Sequence, residues 1–236
     1  MEKRTSLSTL LILALLYIFA TGLGSFGSLS SYDREAVSFG AKLGYLMLLI
    51  PLGFVSLEKG KRISPLFLPF FLVPFSNILA LAIGGSFAFK FGSLDLLRLF
   101  ALPLSVFLEE LIFRDLALKG RESKKGKIKW LFLSSLLFAL CHLASGFSLA
   151  ALIQVAYTFG LGLLCGLLYL EGGGFFPSFA LHLLFNLFNN EVYRWICLDV
   201  SKIAFYAVNI GVAALVGIYF LLLVLKKFYP LSKQEK

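Results

Sequence analysis

The sequence predicts an all-α membrane protein, a polytopic bundle of about eight transmembrane helices. Three observations lead to this fold class. The 236 residues are 59% hydrophobic with a mean hydropathy of +0.89, far from the balance of a soluble domain. Apolar runs of about 20 residues, the length that crosses a bilayer, recur along the whole chain. Lysine and arginine are concentrated in alternate loops, as in multi-pass proteins.

Eight apolar runs are predicted as spans, and together they form a single integral membrane domain over residues 1–236. The first run follows the short basic start MEKR. Its length and the lack of a clear small-residue cleavage site favour a retained span over a signal peptide. The predicted spans are 7–29, 37–57, 65–89, 94–113, 129–146, 149–170, 175–191 and 202–225.

The distribution of basic residues predicts the orientation of these spans. With the N-terminus inside, the cytoplasmic segments hold 15 lysines and arginines and the opposite segments hold 6. Both termini are therefore expected in the cytoplasm, with the protein in the plasma membrane. The net charge of +9 is then explained by topology and by contact with anionic membrane lipids, so no nucleic-acid partner is expected.

A few ionisable and amide side chains interrupt the apolar spans. Glu109 and Glu110 lie near the end of the fourth, His142 lies in the fifth, and His182 and Asn186 lie in the seventh. The chain has two histidines, and both fall inside spans. Because a polar group in the bilayer must find a partner or water, such residues are functional candidates, and histidine indicates proton transfer or metal binding.

Helical spacing gives part of the geometry. Glu110 and Arg114 are four residues apart and can pair on one face, whereas Glu109 is turned by about 100°. His182 and Asn186 are also one turn apart and point into the same space. The residues alone leave purely structural alternatives open: an ion pair that stabilises the fold, a hydrogen-bonded packing histidine, and an asparagine that joins two helices.

The three short motifs resemble a known family. EExxxR (Glu109, Glu110, Arg114), FxxxH (Phe138, His142) and HxxxN (His182, Asn186) occur in this order on separate spans. This series is similar to the signature of the CPBP intramembrane proteases, which include the Rce1-type CAAX prenyl endopeptidases and the bacterial Abi, bacteriocin-processing proteins. The resemblance covers about residues 94–191. One departure is Asp115, where many bacterial members have glycine.

The resemblance implies a membrane-embedded endopeptidase that acts on a membrane-associated peptide or protein. By position in the motifs, Glu109 is the general base that activates water together with His142. His182 and Asn186 stabilise the oxyanion, and Glu110 and Arg114 support the site. General-base catalysis and an oxyanion site are what hydrolysis of a peptide bond requires.

Several alternatives remain at this point. No metal is favoured, because HExxH is absent, but a zinc ion held by Glu109, His142 and His182 is the alternative cofactor. Two rival functions are a proton-coupled transporter and a non-catalytic bacteriocin-immunity or scaffold protein. The absence of an inverted repeat among the spans argues against the transporter. The sequence does not identify the substrate or say whether it is prenylated.

Overall fold

The computed structural model describes residues 5–23, 28–55, 57, 58, 60, 65–121, 123–145 and 148–228. This part of the chain is almost entirely helical, which confirms the all-α fold class. The α-helices are α1 (Leu7–Gly22), α2 (Ser31–Leu49), α3 (Ser76–Gly84), α4 (Ser93–Glu110), α5 (Lys124–Cys141), α6 (Leu149–Leu168), α7 (Phe175–Asn186), α8 (Tyr193–Ile196) and α9 (Lys202–Phe228).

Several of these helices are extended by turns of different pitch. A 3₁₀ helix precedes α3, and another follows α5. Wider π-helical turns follow α4, α6 and α7, and such turns are frequent at functional sites. These segments are Pro65–Phe75 and His142–Ser145 for the 3₁₀ helices, and Leu111–Leu116, Tyr169–Gly173 and Leu187–Val192 for the π-helices.

Every predicted span contains a helix, but several helices begin or end at other residues than the predicted spans do. The second helix begins at Ser31 rather than at residue 37, because the Ser30 side chain caps it by accepting a hydrogen bond from the backbone of Asp33. The third span does not reach residue 89. Its helix ends at Gly84, and the next residues form the strand β1, Gly85–Phe87, which pairs antiparallel with β2, Cys197–Val200.

Three helical segments of the described chain are long and apolar enough to cross a membrane: Pro65–Gly84, Ala151–Glu171 and Lys202–Leu225. The helix α1 is as apolar but has only 16 residues. The other predicted spans carry charged residues near their ends or are shorter. The structure thus agrees with an integral membrane protein, and the number of about eight spans stays a prediction.

The helix α1 shows how an apolar helix can serve both a core and lipid. Its buried face carries Leu10, Leu13 and Tyr17 at helical spacing. Its other face exposes Ile12 and Leu15, which are 58% and 64% accessible. Exposed apolar side chains on this scale are unfavourable in water and suit a helix that lies in lipid.

By contact, the described chain divides into two compact units. The first consists of residues up to 64 together with 91–186, and the second of residues 65–90 with the chain from 187 onward. In the first unit α2 packs on α1 and α4, α7 packs on α4 and α6, and α6 packs on α5. The single domain expected over 1–236 stays a prediction.

Side-chain amides of asparagine connect the helices within the second unit. The Asn189 carboxamide accepts a hydrogen bond from the backbone N–H of Asn77 at 2.9 Å and donates to the carbonyl of Val73 at 3.1 Å. Asn209 of α9 donates to the Asn77 side chain at 3.0 Å. These bonds connect α3, α9 and the turn at Leu187–Val192, as amides do between apolar helices.

The start of α7 depends on one glycine. Gly174 has φ +63°, a conformation that side chains with a Cβ rarely adopt. A Cβ there would collide with the backbone of Gly60 and with the carbonyl of Glu58. That carbonyl accepts a hydrogen bond from the N–H of Phe175 at 3.2 Å, which fixes the first turn of α7 and hence the direction of His182.

Candidate active site

The two glutamates of EExxxR close α4 and face different partners. Glu110 is fully buried, and its Oε1 lies 3.5 Å from a terminal guanidinium nitrogen of Arg114, also fully buried. Its Oε1 also lies 2.8 Å from Nδ1 of His182, and its Oε2 accepts a hydrogen bond from the Ser178 hydroxyl. Glu110 therefore joins α4 to α7 and is the most heavily bonded carboxylate of the site.

Glu109 keeps some access to the outside. Its side chain is 15% exposed. One oxygen, Oε1, accepts a hydrogen bond from the Tyr17 hydroxyl at 2.6 Å, and the other, Oε2, lies 3.5 Å from Nε2 of His182. The imidazole of His182 thus sits between the two carboxylates, with one ring nitrogen toward each.

His142 and His182 pack against the same aromatic ring. The Phe138 ring meets the imidazoles of His142 and His182 edge-on, with centroids 5.2 and 5.3 Å away. Nδ1 of His142 lies 3.1 Å from the carbonyl oxygen of Phe138. Because a carbonyl only accepts, this bond assigns the proton to Nδ1, and Nε2 of the neutral ring is then the basic nitrogen.

Arg114 lies behind the site rather than in it. Its Cζ is 4.8 Å from the centre of the Phe138 ring, so the guanidinium faces an aromatic surface. Its three nitrogens have no hydrogen-bond acceptor among the described residues. The cation therefore acts on the site through its charge, opposite the carboxylate of Glu110.

Asp115, the departure from the family's motif, makes its hydrogen bonds with groups other than the imidazoles. It is buried, and its Oδ1 accepts hydrogen bonds from the backbone N–H of Glu58 and from the Tyr169 hydroxyl, both at 2.9 Å. Asp115 consequently anchors the segment that also holds the first turn of α7.

Five of the predicted site residues are thus brought to neighbouring positions: Glu109, Glu110, Arg114, His142 and His182. Asn186 is the last residue of α7, one turn beyond His182. The predicted approach of Glu109 to His142 stays a prediction, as do the catalytic roles of all six residues.

Sequence reasoning missed Tyr17 and Ser178. Ser178 could have been found, because it precedes His182 by one turn and continues the stripe that ends at Asn186. Nothing in the sequence marks Tyr17, since a tyrosine in an apolar helix is common. Lys42, within the second predicted span, is also buried, and its ammonium donates at 2.9 Å to the hydroxyl of Ser105, which lies one turn before Glu109.

The alternative zinc site of Glu109, His142 and His182 stays a prediction. A catalytic zinc ion takes three protein ligands. Among the described residues, no group of three or more histidine, cysteine, aspartate or glutamate side chains is arranged to hold a metal ion. Glu109 and His182 offer two possible ligand atoms, Oε2 and Nε2, which lie 3.5 Å apart.

Comparison with known proteins gives one family. Residues 92–188 match the family model described as type II CAAX prenyl endopeptidase, Rce1-like. No curated protein matches the chain significantly. The matched segment contains all three motifs and nearly coincides with the core expected at about 94–191. Over this segment the chain is similar to the Rce1-like endopeptidases, the family that the motifs on α4, α5 and α7 resemble.

Proposed function

We propose that this protein is an intramembrane endopeptidase that hydrolyses a peptide bond of a membrane-associated protein or peptide. The observation that carries the proposal is the position of the His182 imidazole between the carboxylates of Glu109 and Glu110, inside a helical bundle. A partly exposed carboxylate beside an imidazole supplies a proton acceptor and a proton donor. Similarity of residues 92–188 to an endopeptidase family supports the same reaction class.

In the proposed reaction Glu109 removes a proton from water. The water oxygen attacks the carbonyl carbon of the scissile bond, and the carbonyl oxygen becomes an oxyanion. His142 assists as a second acceptor through Nε2. The C–N bond then breaks, and the proton held by Glu109 passes to the leaving nitrogen. A positioned acid or base of this kind contributes about 10²–10⁴-fold to the rate.

His182 and Asn186 are assigned to the oxyanion. Both lie on one face of α7, and a protonated imidazole and a carboxamide are both hydrogen-bond donors. Each donor aimed at an oxyanion contributes roughly 3–4 kcal/mol in known hydrolases. Glu110 and Ser178 hold the imidazole of His182 in place, and Arg114 balances the charge of Glu110.

The substrate class is tested by cleavage profiling. Purified protein in lipid nanodiscs is incubated with a library of membrane-inserted peptides, with and without prenylated C-terminal cysteines, and the products are read by mass spectrometry. We expect cleavage within a defined set of peptides. A transporter or a non-catalytic immunity protein would yield no peptide product at all.

The proposal includes the orientation that the charge asymmetry indicates, with both termini cytoplasmic and the protein in the plasma membrane. Ser31, the first residue of α2, and Ser123, which caps α5, are both exposed. In a variant lacking the three native cysteines, Ser31→Cys and Ser123→Cys should react with an impermeant thiol reagent from opposite sides. Labelling of both from one side of intact cells would refute this topology.

A further inference from the structure

The helix α1 lies outside the segment that matches the family, yet it contributes a side chain to the proposed site. Tyr17 is buried, and its hydroxyl donates to Oε1 of Glu109 at 2.6 Å. We propose that Tyr17 is a positioning residue for peptide hydrolysis, one that holds the carboxylate of Glu109 in its reactive orientation. The inference rests on the proposed function, in which Glu109 is the base.

The bond from Tyr17 distinguishes the two oxygens of Glu109. A carboxylate on a flexible side chain can present either oxygen to water, and its torsion is broad. With Oε1 fixed by the phenol, Oε2 is the oxygen that lies toward Nε2 of His182. Water activated by Oε2 therefore lies beside the His182 imidazole. In a poorly hydrated bundle such a bond to a charged group is short and strong.

A second buried tyrosine, Tyr45, serves as a matched control for Tyr17. The rings of Tyr17 and Tyr45 lie 6.4 Å apart, and both are buried to the same degree. The Tyr45 hydroxyl donates to the backbone carbonyl of Leu13 at 2.9 Å, so it joins α2 to α1 without touching a carboxylate. The two hydroxyls differ in the acceptor, a carboxylate oxygen for Tyr17 and a backbone carbonyl for Tyr45.

The test measures steady-state kinetics of Tyr17→Phe and Tyr45→Phe on one peptide cleaved by the wild type. Because misplacement of a catalytic group by about 1 Å lowers rates by up to ~10²-fold, we expect kcat of Tyr17→Phe to fall about 10–100-fold with KM within about twofold. Tyr45→Phe should keep kcat within about twofold. Both variants should lose a similar, small amount of thermal stability.

Two further variants keep the test decisive. Incorporation of 3-fluorotyrosine at position 17 retains the ring and the donor, so cleavage should stay within about threefold of the wild type. Adding Tyr17→Phe to Glu109→Gln should cause no further loss, since the catalytic carboxylate that Tyr17 positions is already absent. If Tyr17→Phe matched Tyr45→Phe while Glu109→Gln was inactive, the positioning role would be wrong and the proposed function would stand. If Glu109→Gln itself retained cleavage, the assignment of Glu109 as the base and the positioning role that depends on it would both be wrong.

Discussion

Replacing Glu109 with glutamine is expected to lower the rate of peptide cleavage by ~10²–10⁴-fold while the protein still inserts and folds. Glutamine keeps the size of the side chain and can still accept the bond from Tyr17 through its amide oxygen. It cannot take a proton from water. The side chain is partly exposed, so its replacement should change the midpoint of thermal unfolding by little.

The matched control for this change is Glu35→Gln. Glu35 lies near the start of α2 in the same unit. Its carboxylate pairs loosely with the guanidinium of Arg98, with an oxygen–nitrogen distance of 3.7 Å. Its replacement should leave cleavage near the wild-type rate. Near-normal cleavage by Glu109→Gln on an identified substrate would mean that the base is misassigned, and Glu110 or a bound metal would become the leading candidate.

Replacing Arg114 with alanine is expected to destabilise the protein by about 3–5 kcal/mol, because the fully buried Glu110 then lacks its balancing cation. The contact of the guanidinium with Phe138 is lost as well. Denaturation in detergent, followed by helical circular dichroism, measures the change. Activity should be lost together with stability, since Phe138 contacts both imidazoles.

Arg98→Ala is the matched control, because Arg98 lies on the same α4 and its pair with Glu35 is partly exposed. A surface pair of this kind contributes about 0–1 kcal/mol. Equal losses for Arg114→Ala and Arg98→Ala would show that the buried pair does not support the fold. A double variant with Glu110→Ala, compared with both single changes, gives the coupling between the two charges.

The parts of the site that the sequence predicts are those in which a polar residue is conspicuous. Glu109, Glu110, His142 and His182 stand out because each interrupts an apolar run, and the four-residue spacing of Glu110 and Arg114 correctly places them on one face. Spacing alone does not distinguish a catalytic role for these residues from a purely structural one. What the sequence could not show is which nitrogen of His182 meets which glutamate, because that depends on how α7 packs on α4.

Other features were hidden for physical reasons. Tyr17 comes from α1, more than ninety residues before its partner, and a tyrosine in an apolar helix gives no sign of bonding to a carboxylate. The pairing of β1 with β2 joins short segments that are distant in sequence and have no marked alternation. The early start of α2 was missed because its first turn is charged, and hydropathy identifies apolar residues rather than helices.

The most direct test of the central claim follows the oxygen of water into the product. A peptide found by cleavage profiling is incubated in H₂¹⁸O with the wild type and with Glu109→Gln. Mass spectrometry then measures the mass of the product that carries the new carboxyl terminus. If a water activated by Glu109 attacks the scissile carbonyl, the wild-type product carries one ¹⁸O atom, and Glu109→Gln forms this product at least ~10²-fold more slowly. Labelled product formed equally fast by both proteins would contradict the account.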